Sequence, residues 1–195
     1  MNKSIVNNVK VYALKESILA AALPMRVEEI NYDKIEITEQ DLKRVKNLIL
    51  AVDNDNSAHG QFMSTIMVGF DLTFTNKAWV EMERYKFVTF CSSQSTMHRI
   101  SNFDLDAHYI DYVDDRIVAI MNELKDTYNK TQKKEDYLKL LYSNPCGFKL
   151  TARLSTSYRC LRNIYKQRKN HRLPEWKEFC DWIETLPYAK MFLIN

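Results

Sequence analysis

Glycine and proline are scarce in this chain. Its 195 residues hold 3 Gly and 4 Pro, too few for a turn-dense β-sandwich or barrel and in keeping with long helices. No run of about 18 apolar residues occurs, so no segment reads as a membrane span. Residues 1–8 lack the apolar stretch of a signal peptide. The four cysteines, Cys91, Cys146, Cys160 and Cys180, form no CxxC pair. A structural zinc site is therefore not expected, and without a leader the thiols read as the reduced cysteines of a cytoplasmic protein. The most local absence is of negative charge: no Asp or Glu occurs between Asp136 and Glu175.

What is present is ordinary in bulk. At 46% apolar, 27% charged and a net charge of +3, the chain has a globular composition and enough length for one core. The small net charge conceals a split. Residues 137–174 carry nine cations, Lys139, Lys149, Arg153, Arg159, Arg162, Lys166, Arg168, Lys169 and Arg172, and elsewhere 19 basic residues face 25 acidic ones, a net of −6. A concentrated cationic segment beside an acidic remainder suggests an anionic ligand such as a nucleotide phosphate. The plainer alternative is a solvated helix face paired with the acidic residues 111–115.

Hydrophobic period places the elements. Residues 9–14 and 67–74 alternate and are expected as strands, and 148–154 as a short one. Helices are expected over 16–25, from Thr38 to 52 with Thr38 and Asp41 as a capping box, over 77–85 behind Asn76, over 137–142, from Thr156 or Ser157 to 170, and over 175–185 behind Pro174. Residues 53–57 read as a loop. A further helix carries the stripe Ile110, Val113, Ile117, Ile120 and Leu124. On the helix after Ser157, Arg159, Arg162, Lys166 and Lys169 are expected on one basic face and Tyr158, Leu161 and Tyr165 on an apolar one. Residues 87–99 show no clear period. Trp79, Tyr85, Phe87 and Phe90 are expected in the core in preference to stacking on a ligand. The whole reads as one α+β, helix-rich domain over residues 1–195.

Three motifs, in order, resemble the flavin-dependent thymidylate synthases. The family's Arg-His-Arg-x-x-Ser-x-Asn-x-x-Ser-x-Arg corresponds to Arg84-Tyr85-Lys86-Phe87-Val88-Thr89-Phe90-Cys91-Ser92-Ser93-Gln94-Ser95-Thr96. Upstream, His59-Gly60 precedes the strand 67–74 and Trp79 at comparable spacing. Downstream, Asn-x-Arg-x-x-x-Asn-x-x-x-x-Arg corresponds to the stretch from Ser157 through Arg159 and Asn163 to Arg168, keeping three of four positions, and Pro145 falls where the family has a Pro. The likeness spans about residues 59–176. It departs from the family at Tyr85 for His, at Cys91 for Asn, and at the closing Ser-x-Arg, for which Arg99 offers a charge at a shifted position. A further family Arg lies where this chain has Leu140-Leu141.

The resemblance implies a small antiparallel sheet, FAD as cofactor, and a pyrimidine nucleotide, dUMP, as substrate. It also implies NADPH and methylenetetrahydrofolate as co-substrates and a homotetramer with sites between subunits. On the cofactor side it puts His59, Arg84, Tyr85, Lys86, Arg159 and Asn163. On the substrate side it puts Glu81, Ser92, Ser93, Gln94, Ser95, Arg99 and Arg168, with Arg168 near the pyrimidine as the catalytic candidate. Each has a plainer reading: helix-end cations for Arg84 and Lys86, a structural imidazole for His59, a loop bonded to its own backbone for Ser92 to Ser95. Cys91 as a nucleophile runs against the family, which uses none. The activity implied is reductive methylation of dUMP to dTMP. The alternatives are a non-methylating nucleotide- or flavin-binding protein on the same fold, or a nucleic-acid-binding module using the basic helix. The last is disfavoured because only one element is basic and no reader motif is present. Arg168→Ala is expected to abolish nucleotide binding with the fold intact.

Overall fold

The computed structural model describes residues 4–55 and 58–194. Four strands, β1 (Val6–Tyr12), β2 (Met67–Thr75), β3 (Thr89–Ser93) and β4 (Lys149–Ser157), form one sheet in the order β1-β2-β4-β3, every neighbour antiparallel. The helices are α1 (Leu14–Ala20), α2 (Glu39–Asp55), α3 (Asn76–Met82), α4 (Thr96–Arg99), α5 (Leu105–His108), α6 (Asp115–Thr131), α7 (Lys134–Ser143), α8 (Tyr158–Arg168), α9 (Pro174–Ile183) and α10 (Ala189–Phe192).

The pleat decides the layers. Along β2, Val68, Phe70, Leu72 and Phe74 are buried. Their counterparts on β4, Ala152 and Leu154, share that face, as alternation requires. Against it pack α8 and α9, whose Trp176, Phe179 and Trp182 interlock with Phe70 and Phe74 at ring separations of 4.7–5.8 Å. The other face is polar. Thr73 pairs with Thr151, and Arg153 reaches Asp71 at 3.1 Å. A second, smaller core of Ile100, Leu105, Tyr109, Met121, Leu140 and Phe148 joins α5, α6 and α7.

Several expected boundaries shift. β1 begins at Val6, and the helix expected to run to residue 25 stops at Ala20, a separate 3-10 turn covering Leu23–Met25. Asn76 is the first helical residue of α3, and its cap is Thr75, whose hydroxyl accepts from Ala78 N. Of the loop expected over 53–57, residues 53–55 belong to α2, while 56 and 57 lie outside the described residues. The stripe on α6 is displaced. The helix starts at Asp115 behind an Asp114 cap, so Ile110 and Val113 precede it. Ile117 and Ile120 are 41% and 53% exposed, and Met121 is the buried residue. Val113 and Leu124 of the stripe do pack against the second core, and the face of α6 that docks runs through Val118, Met121, Leu124, Lys125 and Tyr128. Lys125 Nζ donates to Phe103 O, and the Tyr128 ring packs tilted against Tyr137. Phe87, at 80% exposure, is not core, and Phe90 is 42% exposed at the sheet edge. α10 closes the core with Phe192, a helix too short for periodicity to register.

The capping box holds. Thr38 N and Oγ1 donate to Asp41 Oδ2 at 3.0 and 2.6 Å, and Asp41 N donates back to Thr38 Oγ1. Those bonds, the Thr38 hydroxyl first, hold the Asp41 carboxyl below its ordinary 3.8. Asp41→Ala should cost about 1–2 kcal/mol. A depressed carboxyl stabilises above its unfolded value and loses that contribution as pH falls through its folded one. The gap between wild-type and variant urea midpoints should therefore narrow from about pH 5 toward pH 2.

Candidate functional site

β4 runs directly into α8, and the junction is capped: Ser157 Oγ accepts from Cys160 N at 3.3 Å. Tyr158, Leu161, Ile164 and Tyr165 bury one side of α8, which leaves Arg159 and Asn163, one turn apart, on the open side. Facing them is the turn after α3, tied by Tyr85 N to Met82 O and Val88 N to Tyr85 O. The turn drives Tyr85 inward, to 8% exposure, and leaves Arg84 and Lys86 exposed on either side of it. Between the two lies a cleft of about 980 Å³ whose wall includes Gln61, Arg84, Tyr85, Lys86, Ser157, Arg159, Cys160 and Asn163. No Asp or Glu is among its lining residues. Arg159 Nη1 donates to Gln61 Oε1 at 2.5 Å. Burial raises the Cys160 thiol above its ordinary value, which works against the thiolate form.

Five of the six residues placed on the cofactor side thus meet at one cleft. His59 is the exception: it lines a second cleft of about 350 Å³ between α1, α2 and the 3-10 segment Ala58–Ser64. Gln61 belongs to both walls.

Arg168 lies behind the first cleft in a closed cluster. Its Nη1 donates to Glu81 Oε2 at 2.8 Å and its Nε to the Tyr85 hydroxyl at 2.8 Å. Its guanidinium sits 4.7 Å from the centre of the Trp176 ring, a cation–π contact. The same Glu81 oxygen accepts from Trp176 Nε1 at 3.0 Å and lies 3.2 Å from His171 Nε2. Leu173 N donates to His171 Nδ1, so in the neutral ring the proton is on Nε2 and points at Glu81. Tyr85 hands its own proton to Gln167 Oε1 at 3.0 Å. Burial pushes the Tyr85 phenol up, and the Arg168 cation opposes the shift. Neither Glu81 nor Arg168 is a wall residue of the cleft.

The remaining substrate-side residues sit elsewhere. Ser92 and Ser93 are exposed on β3, the sheet's edge, and Arg99 is exposed at the end of α4. Gln94 spends its side chain on the ladder, Oε1 accepting from Thr151 N at 2.9 Å. Ser95 stands at the start of α4 without a capping bond. None of them lines either cleft. Cys91 is exposed in the bulge of β3 between Phe90 and Ser92.

The basic face of α8 is narrower than its spacing predicts. Arg162 is 4% exposed and donates to Phe192 O at 2.7 Å, so it anchors α10 and leaves the surface to Arg159, Lys166 and Lys169. Gln61 and Gln167 went unread in the sequence. Gln167 had a signal, its i+4 spacing from Asn163; Gln61 had none. Among the described residues no group of His, Cys, Asp or Glu could hold a metal ion, and no helix is long and apolar enough to cross a membrane.

Neither a family model nor a curated protein sequence matches the chain. Solved structures do. A flavin-dependent thymidylate synthase from Helicobacter pylori, complexed with FAD and dUMP, superposes with a TM-score of 0.70 at 16% identity, over 95% of this chain and 98% of the other. A second structure of the Helicobacter pylori enzyme with FAD and dUMP gives 0.71 at 16% identity, over 96% of each chain. A UMP/dUMP methylase from Streptomyces cacaoi, bound with 5-Br dUMP, gives 0.65 at 14% identity, over 97% of this chain and 92% of the other. Over 95–97% of its length the chain has the fold of the flavin-dependent thymidylate synthases, with a cation-walled cleft where β4 meets α8.

Proposed function

We infer that the chain binds FAD in the cleft between α8 and the Arg84–Lys86 turn, and a pyrimidine nucleotide, dUMP, beside it. The observation that carries this is the charge of the wall: Arg84, Lys86 and Arg159 with no carboxylate among the lining residues. Three cations facing one space repel each other and are best relieved by an anion such as a pyrophosphate. The donor set fits the cofactor. Arg84, Lys86 and Arg159 would hold its phosphates, and the Asn163 amide and Ser157 hydroxyl its polar ring edge. The volume is that of a pocket for a large ligand. When bound, FAD supplies the redox chemistry of reductive methylation, drawing on NADPH and methylenetetrahydrofolate. The protein's part is to place charges and exclude water.

The nucleotide side needs a second copy. Ser92, Ser93, Ser95 and Arg99 lie on the sheet edge and α4, outside this chain's own cleft, and with Gln94, whose oxygen is held by Thr151 N, they would serve a neighbouring subunit's ligand in a homotetramer. One observation favours binding without methylation. Arg168, the catalytic candidate, already spends Nε and Nη1 on Tyr85 and Glu81. A nucleotide that recruits it must compete with both. The nucleic-acid reading weakens with Arg162 buried.

The test is direct. Titration with FAD should quench flavin fluorescence to saturation at one FAD per chain, and flavin oxidation should depend on dUMP if methylation survives. A colourless preparation with no saturable quenching overturns the cofactor assignment. Saturable binding without dUMP-dependent oxidation selects the non-methylating protein.

A further inference from the structure

We propose that Gln167 is a positioning residue: it fixes which end of the Asn163 amide faces the cleft, so that the wall selects a ligand edge made of hydrogen-bond acceptors. This rests on the reading of the cleft as the cofactor site and extends it to the chemistry of the edge bound there.

The direction of each bond is forced from one end. A guanidinium has five N–H groups and no lone pair. At the 2.8 Å contact between Arg168 Nε and the Tyr85 oxygen, the phenol must therefore accept. Its own proton remains for Gln167, 3.0 Å away, and only the amide oxygen Oε1 can receive it. Gln167 then has its NH2 left for Asn163, and Nε2 lies 3.1 Å from Oδ1. The Asn163 oxygen is thereby spent, and its Nδ2, with two N–H groups, is left for the cleft it lines. Glu81 fixes the far end by holding Arg168.

The same logic acts at a second amide. Arg159 can only donate, so Gln61 must show it Oε1 and keep Nε2. Ser157 Oγ already accepts from Cys160 N and retains its proton to give. Two amides and three cations of one wall thus present N–H groups, while the oxygens of both amides are taken up by neighbours. Such a wall matches phosphoryl oxygens and a heteroaromatic edge of carbonyls and unprotonated ring nitrogens. It disfavours an edge that must donate, because donors facing donors across a bound ligand leave both unpaired.

Gln167→Glu is the informative variant. An ionised carboxylate accepts from Tyr85 but cannot donate to Asn163, so Asn163 must turn its NH2 toward residue 167 and its oxygen into the cleft. FAD affinity should then fall about 10- to 100-fold at pH 7.5. The protonated acid has the same pattern as glutamine, a carbonyl and a donor. Affinity should therefore return as pH falls toward about 4, through the usual glutamate range, while wild type changes little. Gln167→Leu should lose less affinity, with no such recovery. Thermal unfolding of both variants checks the fold. Full affinity of Gln167→Glu at pH 7.5, or a loss that low pH does not reverse, overturns the proposal. If wild type binds no FAD, the cofactor reading falls by itself. The relay is then decided without ligand by side-chain amide NMR. Slow exchange at the Gln167 NH2 with fast exchange at the Asn163 NH2 supports it, and the reverse pattern refutes it.

Discussion

Alanine at Glu81 should lower stability by about 3 kcal/mol in urea unfolding, because it strips a nearly enclosed cation of its counter-charge. The side chains of Glu81 and Arg168 are 16% and 13% exposed, and a single Glu81 oxygen meets Arg168, Trp176 and His171. Those three come from α8, the turn after it and α9, while Glu81 belongs to α3. One carboxylate therefore ties together the helices on which both cleft walls stand. Glu81→Gln keeps the shape and one acceptor and should lose less, about 1–2 kcal/mol. A change below 1 kcal/mol for the alanine variant would mean that the cluster is solvated and carries little. The geometry also revises the expectation for Arg168→Ala. Removing that guanidinium leaves Glu81 with an unpaired charge and Tyr85 without its donor, so stability falls along with any nucleotide affinity.

The second large effect concerns binding alone. Arg84→Glu with Lys86→Glu should weaken FAD binding at least 100-fold, since reversing two cations beside a pyrophosphate turns two attractions into repulsions of about 1 kcal/mol or more each. Neither side chain makes a hydrogen bond or ion pair with another described residue, and both are exposed, so the unfolding free energy in urea should stay within about 0.5 kcal/mol of wild type. Wild-type affinity should fall as salt rises, and the variant's should depend on salt less. Affinity within threefold of wild type would place the phosphates elsewhere.

How much of this could be read from residues alone depended on range. Local signals survived: the alternation of Met67 to Phe74, the Thr38–Asp41 box, and the Ser157 start of α8 are written within a few positions of one another. Signals that need a partner did not. Ile117 and Ile120 have perfect helical spacing, but what chose the docked face of α6 was Phe103 and Tyr137, from distant segments. Arg162 sits in register with three surface cations, and only the arrival of Phe192, thirty residues on, buries it. The cleft was legible because its cations cluster in sequence at residues 84–86 and along α8. The fate of Arg168 was not, because nothing near it in the chain announces Glu81. Tyr85 shows the same limit from the other side. Where the family's motif has a histidine, this chain has a phenol, and its work is to pass a hydrogen bond outward from the enclosed Arg168 to Gln167.

The scarce glycines reveal where the chain keeps unused stability. Gly60, Gly69 and Gly147 all have ordinary backbone angles. They are small because neighbours are close: a Cβ on Gly147 would lie 2.3 Å from a Val113 methyl, and one on Gly69 2.9 Å from the Arg153 guanidinium. Among the described residues, the positive-φ positions are held instead by Asn8, Ala13, Gln132 and Tyr188. Ala13 and Tyr188, with no short polar side chain to offset the crowding, each cost about 1–2 kcal/mol there. Glycine has been assigned to crowding, and left-handedness to residues that bear it poorly. The turns at the mouths of α1 and α10 thus hold a reserve of about 1 kcal/mol each, once the added freedom of a glycine in the unfolded chain is set against the strain, and neither residue lines the cleft.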